Sequence, residues 1–468
     1  MSAAVIVGLV FGFFLTLIGF VRLLRDPGAA WMLLVGMILF AGFAIQVDRV
    51  GNQSNHTWLE PLQIYRAELY LAFGTMLFVG MLVHVSKVRL NTMPVQGTFL
   101  LAIQIVSSML KFYHDGAVDA AQTLVFALVT MLPVMLLLPL MLKDWDDWTK
   151  VIRALAFAGF LWGGATSVQV VLNHRELILG WQNRFSGMLG NPQGCGLYMA
   201  PITVAAMWLI LNDTERKYRP VWFMVLGMML TYSAWTGSRT CIAVTALGMV
   251  FVLYSRLGRM AFFLPVILAL FYGVYQVALS FGLSTEAVER LGSTQDTRGL
   301  VWGVLLADAF ENPILGSGWK NTRANENSYL VAFGAYGVSV GLMVIALAVY
   351  SAFLMLKVVR YRRLLPRGKK QIADLILGFN AMYFGGAMFE WFIISRLEGM
   401  VIYMLIFSTL TKAMIVKLDA EVGWRAAFDD VADEYTQPHE NPYDQPYDQP
   451  YDQPYDQPYD KDSSVSTA

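Results

Sequence analysis

Apolar runs separated by short polar punctuation recur along nearly the whole chain. They fall roughly at 3–22, 29–46, 69–86, 97–112, 119–142, 151–172, 194–211, 219–236, 239–256, 260–281, 327–356, 372–394 and 398–416. A helix needs about 17–25 predominantly apolar residues to cross the hydrocarbon of a bilayer. The pattern therefore predicts an all-α, polytopic transmembrane bundle of about 12–13 spans, the count depending on the thin runs near 97–112 and 119–142.

Composition sharpens this reading. The chain has 468 residues, 56% hydrophobic and only 15% charged, with mean hydropathy +0.51, too apolar for a soluble domain of this size. The first run lacks a basic n-region and a small-residue cleavage site, so it reads as a span and not as a removed leader. Net charge is zero and names no partner; no nucleic-acid partner is expected, and the lipid bilayer is the first partner. The placement of charge is more informative. Lys and Arg gather in alternate loops: Arg22 and Arg25; Lys87 and Arg89; Lys143, Lys150 and Arg153; Arg216, Lys217 and Arg219; Arg256 and Arg259; and the dense stretch Lys357 to Lys370. The positive-inside rule puts these loops in the cytoplasm. Loops 173–193, 237–239, 282–326 and 395–397 then face outward, as does the N-terminus, and the C-terminal tail falls inside. Cys195 and Cys241, near the outer ends of predicted helices, read as two buried thiols, with a disulfide as the alternative.

The composition changes near residue 420. A four-residue Tyr-Asp-Gln-Pro unit repeats through 441–460; proline at every fourth position forbids a helix, and the repeat is too polar for a core. The expected organisation is a membrane domain over 1–420 and a disordered cytoplasmic tail over 421–468. That tail is either a dispensable extension or a tyrosine-bearing docking site for a cytoplasmic partner.

Candidate chemistry lies in the outward loops, which normally avoid basic residues. Here they carry Arg175, Arg184, Arg239, Arg290, Arg298, Lys320, Arg323 and Arg396. Arginine presents a planar, permanently charged fork that suits phosphate; snorkelling to lipid head groups is the plainer explanation for any one of them. Arg184, Arg239 and Arg298 taken together, in loops that can converge, favour a phosphate site. In the long loop, "DTRGLVWGVLLADAFENP" has capping candidates Asp296 and Thr297, apolar residues at helical spacing and a stop before Pro313, predicting a short amphipathic helix along the membrane surface. Arg298 falls in its first turn, where free N–H groups favour an anion. A glycine turn at Gly316 and Gly318 then returns the chain to the membrane at Asn325, Glu326 and Asn327. Gly190, Asn191 and Pro192 form a turn at the mouth of another span. No His or Asp/Glu pair has metal-site spacing and no glycine-rich nucleotide loop is evident, so neither a metal nor a cofactor is expected.

The ordered set "GNPQG" (190–194), "GSR" (237–239), "RGLVW" (298–302), "NPILGSGW" (312–319) and "NENSYLVAFGAYG" (325–337) resembles the O-antigen ligase and O-antigen polymerase family of bacterial membrane glycosyltransferases, over about residues 150–400. The resemblance implies metal-independent transfer of a glycan from a polyprenyl-diphosphate carrier to an acceptor hydroxyl, on a glycan or a lipid core, at the outer face of the inner membrane. It implies that Arg184, Arg239 and Arg298 grip the donor diphosphate, and that Asn191, Trp302, Arg323 and Asn327 help to bind substrate. It also exposes a departure. Family members usually carry histidine before the Asn of this helix start, and here that position is Glu326. A carboxylate can accept a hydroxyl proton, although at an ordinary value of about 4.3 it is a weaker base than imidazole at about 6.5. Glu326 is then the base, an acceptor-binding group, or the mark of a site without activity. His174 is an alternative base, and Glu390 a second carboxylate unless it pairs with Arg396.

Two other classes compete. A transporter or flippase of lipid-linked saccharides usually places ionisable groups and broken helices near the membrane midplane, whereas here polar residues gather at the outer mouths. A non-catalytic scaffold working through its repeat tail leaves the outward arginines without a use.

Overall fold

The computed structural model describes residues 3–44, 57–179, 184–257, 298–324, 326–365, 367–395 and 399–436. The helices are α1 Ala3–Arg25, α2 Ala30–Ala41, the short α3 Glu60–Ile64, α4 Arg66–Val83, α5 Val95–His114, α6 Ala117–Phe126, α7 Leu132–Met141, α8 Trp145–Asn173, α9 Pro192–Asn212, α10 Arg219–Trp235, α11 Arg239–Leu257, α12 Arg298–Glu311, α13 Ser328–Arg362, α14 Arg367–Ala387 and α15 Gly399–Thr436. Twelve of the thirteen expected apolar runs coincide with helices; the remaining run, 260–281, lies outside the described residues. Among the described residues seven helical stretches are long and apolar enough to cross a membrane, with α6 and α7 forming one of them through a π-helical turn at Ala127–Met131. The molecule is an all-α, multi-pass membrane bundle.

Side-chain chemistry sets the helix boundaries. Asp144 and Asp147 form a reciprocal capping box at the start of α8, satisfying two otherwise orphaned N–H groups. Asn191 caps α9 ahead of Pro192, accepting from the N–H groups of Gln193 and Gly194 at 2.9 and 3.3 Å; proline suits the first helical position because its missing N–H has no partner there anyway.

The most enclosed spans are α9 and α15, and α13 is the least enclosed. Phe379 of α14 stacks on Phe407 of α15 with ring centroids 3.9 Å apart. Trp162 Nε1 of α8 donates to the Gly42 carbonyl at 2.6 Å, and the Tyr198 hydroxyl of α9 donates to the Ile38 carbonyl at 3.0 Å. Gln96 Nε2 of α5 donates to Ser351 Oγ of α13 at 2.6 Å and to Asn380 Oδ1 of α14 at 3.1 Å. Buried polar side chains of this kind join spans because lipid offers them no alternative partner. Cys195 and Cys241 are both buried and unbridged, as two thiols were expected to be.

Two boundaries differ from expectation. The change of composition near 420 does not end α15, which continues to Thr436. The segment 421–436 has no proline and no repeat unit, so nothing local forbids a helix before Pro438; the repeats themselves lie outside the described residues. The second concerns α13, which is not continuous. Gly337 has φ 71°, ψ −169°, and breaks it into two parts.

Candidate functional site

The junction of α10 and α11, from Thr236 in the connection to Thr240 in the first turn of α11, is where the sequence-predicted arginines come together. A two-strand hairpin, β1 Ile178–Leu179 and β2 Arg184–Phe185, is antiparallel with Leu179 opposite Arg184. It lies against the end of α10 because Phe185 stacks on Trp235 and Tyr232, centroids 4.6 and 5.1 Å apart. This packing buries Arg184 to 3% exposure and lets its Nε donate to the Thr236 carbonyl at 2.7 Å. From the other side Arg298, the first residue of α12, donates through Nη2 to the Thr240 hydroxyl at 2.7 Å. Arg239, half-buried, is the residue next to Thr240. Three segments distant in sequence thus meet at the junction of α10 and α11.

Phe389 holds the Arg298 side of the site in place. Its ring lies 4.6 Å from the Arg298 guanidinium carbon, and Trp302, four residues further along α12, stacks on the same ring at 6.5 Å. Residues four apart share one helix face, so α12 presents the arginine and the tryptophan together. A guanidinium over an aromatic face is favoured electrostatically. The sequence carries no signal for Phe389, Thr236 or Thr240; the "GSR" motif points at Arg239 and not at the threonines on either side of it.

The return from the loop into α13 is built around Asn327. It has φ 80°, the only positive φ at a non-glycine position among the described residues, and its Oδ1 accepts from the N–H groups of Tyr329 and Leu330 at 3.0 and 3.2 Å. Ser328 donates to the Glu390 carbonyl through its N–H at 3.0 Å and its hydroxyl at 2.6 Å. Glu326 and buried Glu390 therefore belong to one small region at the mouth of α13. Glu326 is half-buried, and makes no hydrogen bond or ion pair among the described residues. Trp391, next to Glu390 in sequence, packs at a tilt on Trp319, centroids 4.5 Å apart.

Several expected substrate binders have other work. Arg323 pairs with Asp308, to which its backbone N–H also donates at 3.2 Å, and with Glu311 at 3.0 Å. It fastens the 319–323 turn onto α12, so its charge is spent within the protein. Lys320 pairs with Asp119 at 2.6 Å. The side-chain oxygens of Asn191 and Asn327 are occupied as helix caps. His174 lies exposed in the turn His174–Leu177, with no described contact to Glu326. Arg290, Asp296, Thr297, Asn325 and Arg396 lie outside the described residues, and with Arg396 the pairing that was the alternative to Glu390 serving as a second carboxylate. Among the described residues no group of three His, Cys, Asp or Glu is placed to hold a metal.

The "NPILGSGW" stretch shows what its glycines are for. Where α13 breaks, Val338 N–H donates to the Pro313 carbonyl at 2.8 Å. Ser317 and Gly318 N–H donate to the Gly334 and Ala335 carbonyls at 2.8 and 3.0 Å. The loop supplies the hydrogen bonds that the broken helix lost, as non-helical backbone at membrane depth requires. The approach leaves no room for a side chain: a Cβ at Gly337 would meet the Ile314 carbonyl oxygen at 2.1 Å, and one at Gly316 the Ala335 carbonyl carbon at 2.4 Å.

No protein-family model and no curated protein matches the chain.

Proposed function

We propose that this chain is a membrane glycosyltransferase that moves a glycan from a polyprenyl-diphosphate carrier to an acceptor hydroxyl, as the resemblance to O-antigen ligases and polymerases implies. The observation that carries the reading is the meeting of Arg184 and Arg298 on the turn that bears Arg239. An acceptor oxygen attacks the anomeric carbon, the bond from that carbon to the diphosphate oxygen breaks, and the diphosphate leaves with the electron pair. Charge develops on the leaving group, and fixed guanidinium groups at a poorly hydrated boundary stabilise it without reorganising. Glu326, uncommitted to any described group, takes the hydroxyl proton. The aromatic residues Trp302, Trp319 and Trp391 offer flat faces for sugar rings, and Asn191 and Asn327 fix the backbone around the site. In this reading the site end of the bundle faces outward from the bacterial inner membrane.

The break in α13 favours a second reading, a transporter of lipid-linked saccharides, because interrupted spans are frequent in transporters. In those proteins the freed backbone groups line a cavity. Here the 313–318 loop occupies them, which weighs for surface chemistry.

The test is glycan transfer by the purified protein from a polyprenyl-diphosphate oligosaccharide, comparing the parent with Glu326→Gln and Glu326→His. Loss of transfer in the Gln variant with partial activity in the His variant is expected. Full activity in the Gln variant would reduce Glu326 to a binding group, and a parent inactive with every acceptor would move the assignment to transport.

A further inference from the structure

At the other end of the bundle, three connections close around a cavity of about 560 Å³ lined by Arg25, Asp26, Lys87, Arg89, Thr92 and Lys143, with Pro139 and Leu140 as its apolar part. The lining holds four cations and one carboxylate. That carboxylate is already engaged, accepting from the Gly28 N–H at 3.0 Å. None of the four cations forms an ion pair among the described residues. Arg216, Arg219, Arg360 and Arg363 likewise form none among the described residues, whereas several other basic residues at this end are paired; what distinguishes the four is that they line one cavity. Arg153 pairs with Asp213 and Glu215, Lys150 with Asp147, Lys217 with Glu215, and Arg362 with Asp374. Loop orientation alone asks only for basic residues somewhere on this face; it does not ask that unneutralised ones from three separate connections share a concavity, where like charges repel.

We infer that this cavity binds the phosphodiester headgroup of an anionic membrane lipid. The chemistry required is that of a compact phosphate anion, which Arg recognises as a fork and Lys as a point charge. A lipid is the source, for two reasons. Every lining connection joins apolar helices, so the cavity sits at headgroup depth. Its neighbours on the 82–90 connection, Leu82, Val83, Val85 and Leu90, are 52%, 52%, 61% and 74% exposed, an apolar skin that acyl chains would cover. Basic pockets between span ends are a recognised arrangement for lipid head groups. The inference is independent of the proposed glycosyl transfer, which concerns the opposite end of the molecule.

The experiment is native mass spectrometry of the full chain released from micelles doped with equal amounts of phosphatidylglycerol and phosphatidylcholine. The parent is compared with Lys87→Gln/Arg89→Gln/Lys143→Gln and with Arg360→Gln/Arg363→Gln, which neutralises a different basic cluster. The parent should retain phosphatidylglycerol in preference to phosphatidylcholine. The triple variant should lose affinity for it by about a hundredfold, and the Arg360/Arg363 variant should keep it. Equal retention of the two lipids by the parent overturns the inference, and that arm needs no variant to fold. So does equal loss in both variants, which would mean diffuse surface attraction. A parallel titration with inorganic phosphate separates the sources: saturable phosphate binding without phosphatidylglycerol preference would assign the cavity to a free anion and overturn the lipid.

Discussion

Arg298 combines a charge with a shape that lysine lacks. Its guanidinium both bonds Thr240 and lies over Phe389, and a lysine at this position keeps the charge while giving up the planar fork. In Arg298→Lys the initial rate of glycan transfer should fall by about a hundredfold, the range seen when one preorganised donor to a developing anion is lost, while the thermal midpoint changes little. A rate within twofold of the parent would make Arg298 a structural residue. Glu326 poses the opposite problem. The backbone around it is over-determined, by the Asn327 cap and by Ser328 bound to the Glu390 carbonyl, yet its own carboxylate is left uncommitted. Polar side chains at the mouth of a span cost free energy unless they serve something, which is why this position attracts a catalytic assignment.

At the scale of elements, α12, the 312–319 loop and α13 form one unit. The loop is not a passive connection: its backbone completes the hydrogen bonding of the broken α13, and Arg323 ties its far side to Asp308 of α12. Gly337 has positive φ, and a Cβ there would fall 2.1 Å from a carbonyl oxygen, so Gly337→Ala should destabilise the protein by several kcal/mol, in the range of strained or overpacked sites. Gly303 of α12 is different. A Cβ there meets nothing within 4 Å and Gly303→Ala should stabilise by about 0.5–1 kcal/mol, since glycine is a poor helix former. Thermal unfolding in detergent followed by tryptophan fluorescence distinguishes them; two variants shifted alike would contradict this role of the 312–319 loop.

For the whole molecule, the spans alternate so that the arginine site and the basic cavity lie at opposite ends. The positive-inside rule orients them, and labelling tests the orientation. In intact cells an impermeant maleimide should modify Asn321→Cys and spare Leu364→Cys, while the native Cys195 and Cys241 are buried; the reverse pattern would turn the protein over. Stability at the basic end depends on acid. Burial pushes the Asp213 carboxyl up, but bonds from Arg153, the Glu215 N–H and Trp222 outweigh it and hold it below the usual carboxylate range. Lys217 and then Arg153 lower Glu215 likewise. A folded-state value below the unfolded one, which for Asp is about 3.9, contributes stability that is present above that value and is lost as pH falls through the depressed one. The thermal midpoint of the parent should therefore drop on acidification from neutral to about pH 3, and that of Asp213→Asn should start lower and change less. Parallel curves would remove this pair from the account.

Hydropathy alone determined the fold class and nearly all the helix positions, because in a bilayer the apolar length of a segment and the satisfaction of its backbone leave few alternatives. The end of α12 at Glu311 was readable for a local reason, the proline that follows it at 313. Charge counting also singled out Arg184, Arg239 and Arg298, but it equally singled out Arg323 and Lys320, which the fold neutralises with Asp308, Glu311 and Asp119. Which cation is spent inside the protein and which shares a turn with others depends on partners that lie far away in sequence, and no local pattern encodes that distance. The break at Gly337 and the 312–319 loop that repairs it were hidden for the same reason. Each glycine reads as an ordinary turn or helix residue until the other segment is laid against it, and only tertiary packing brings the two together.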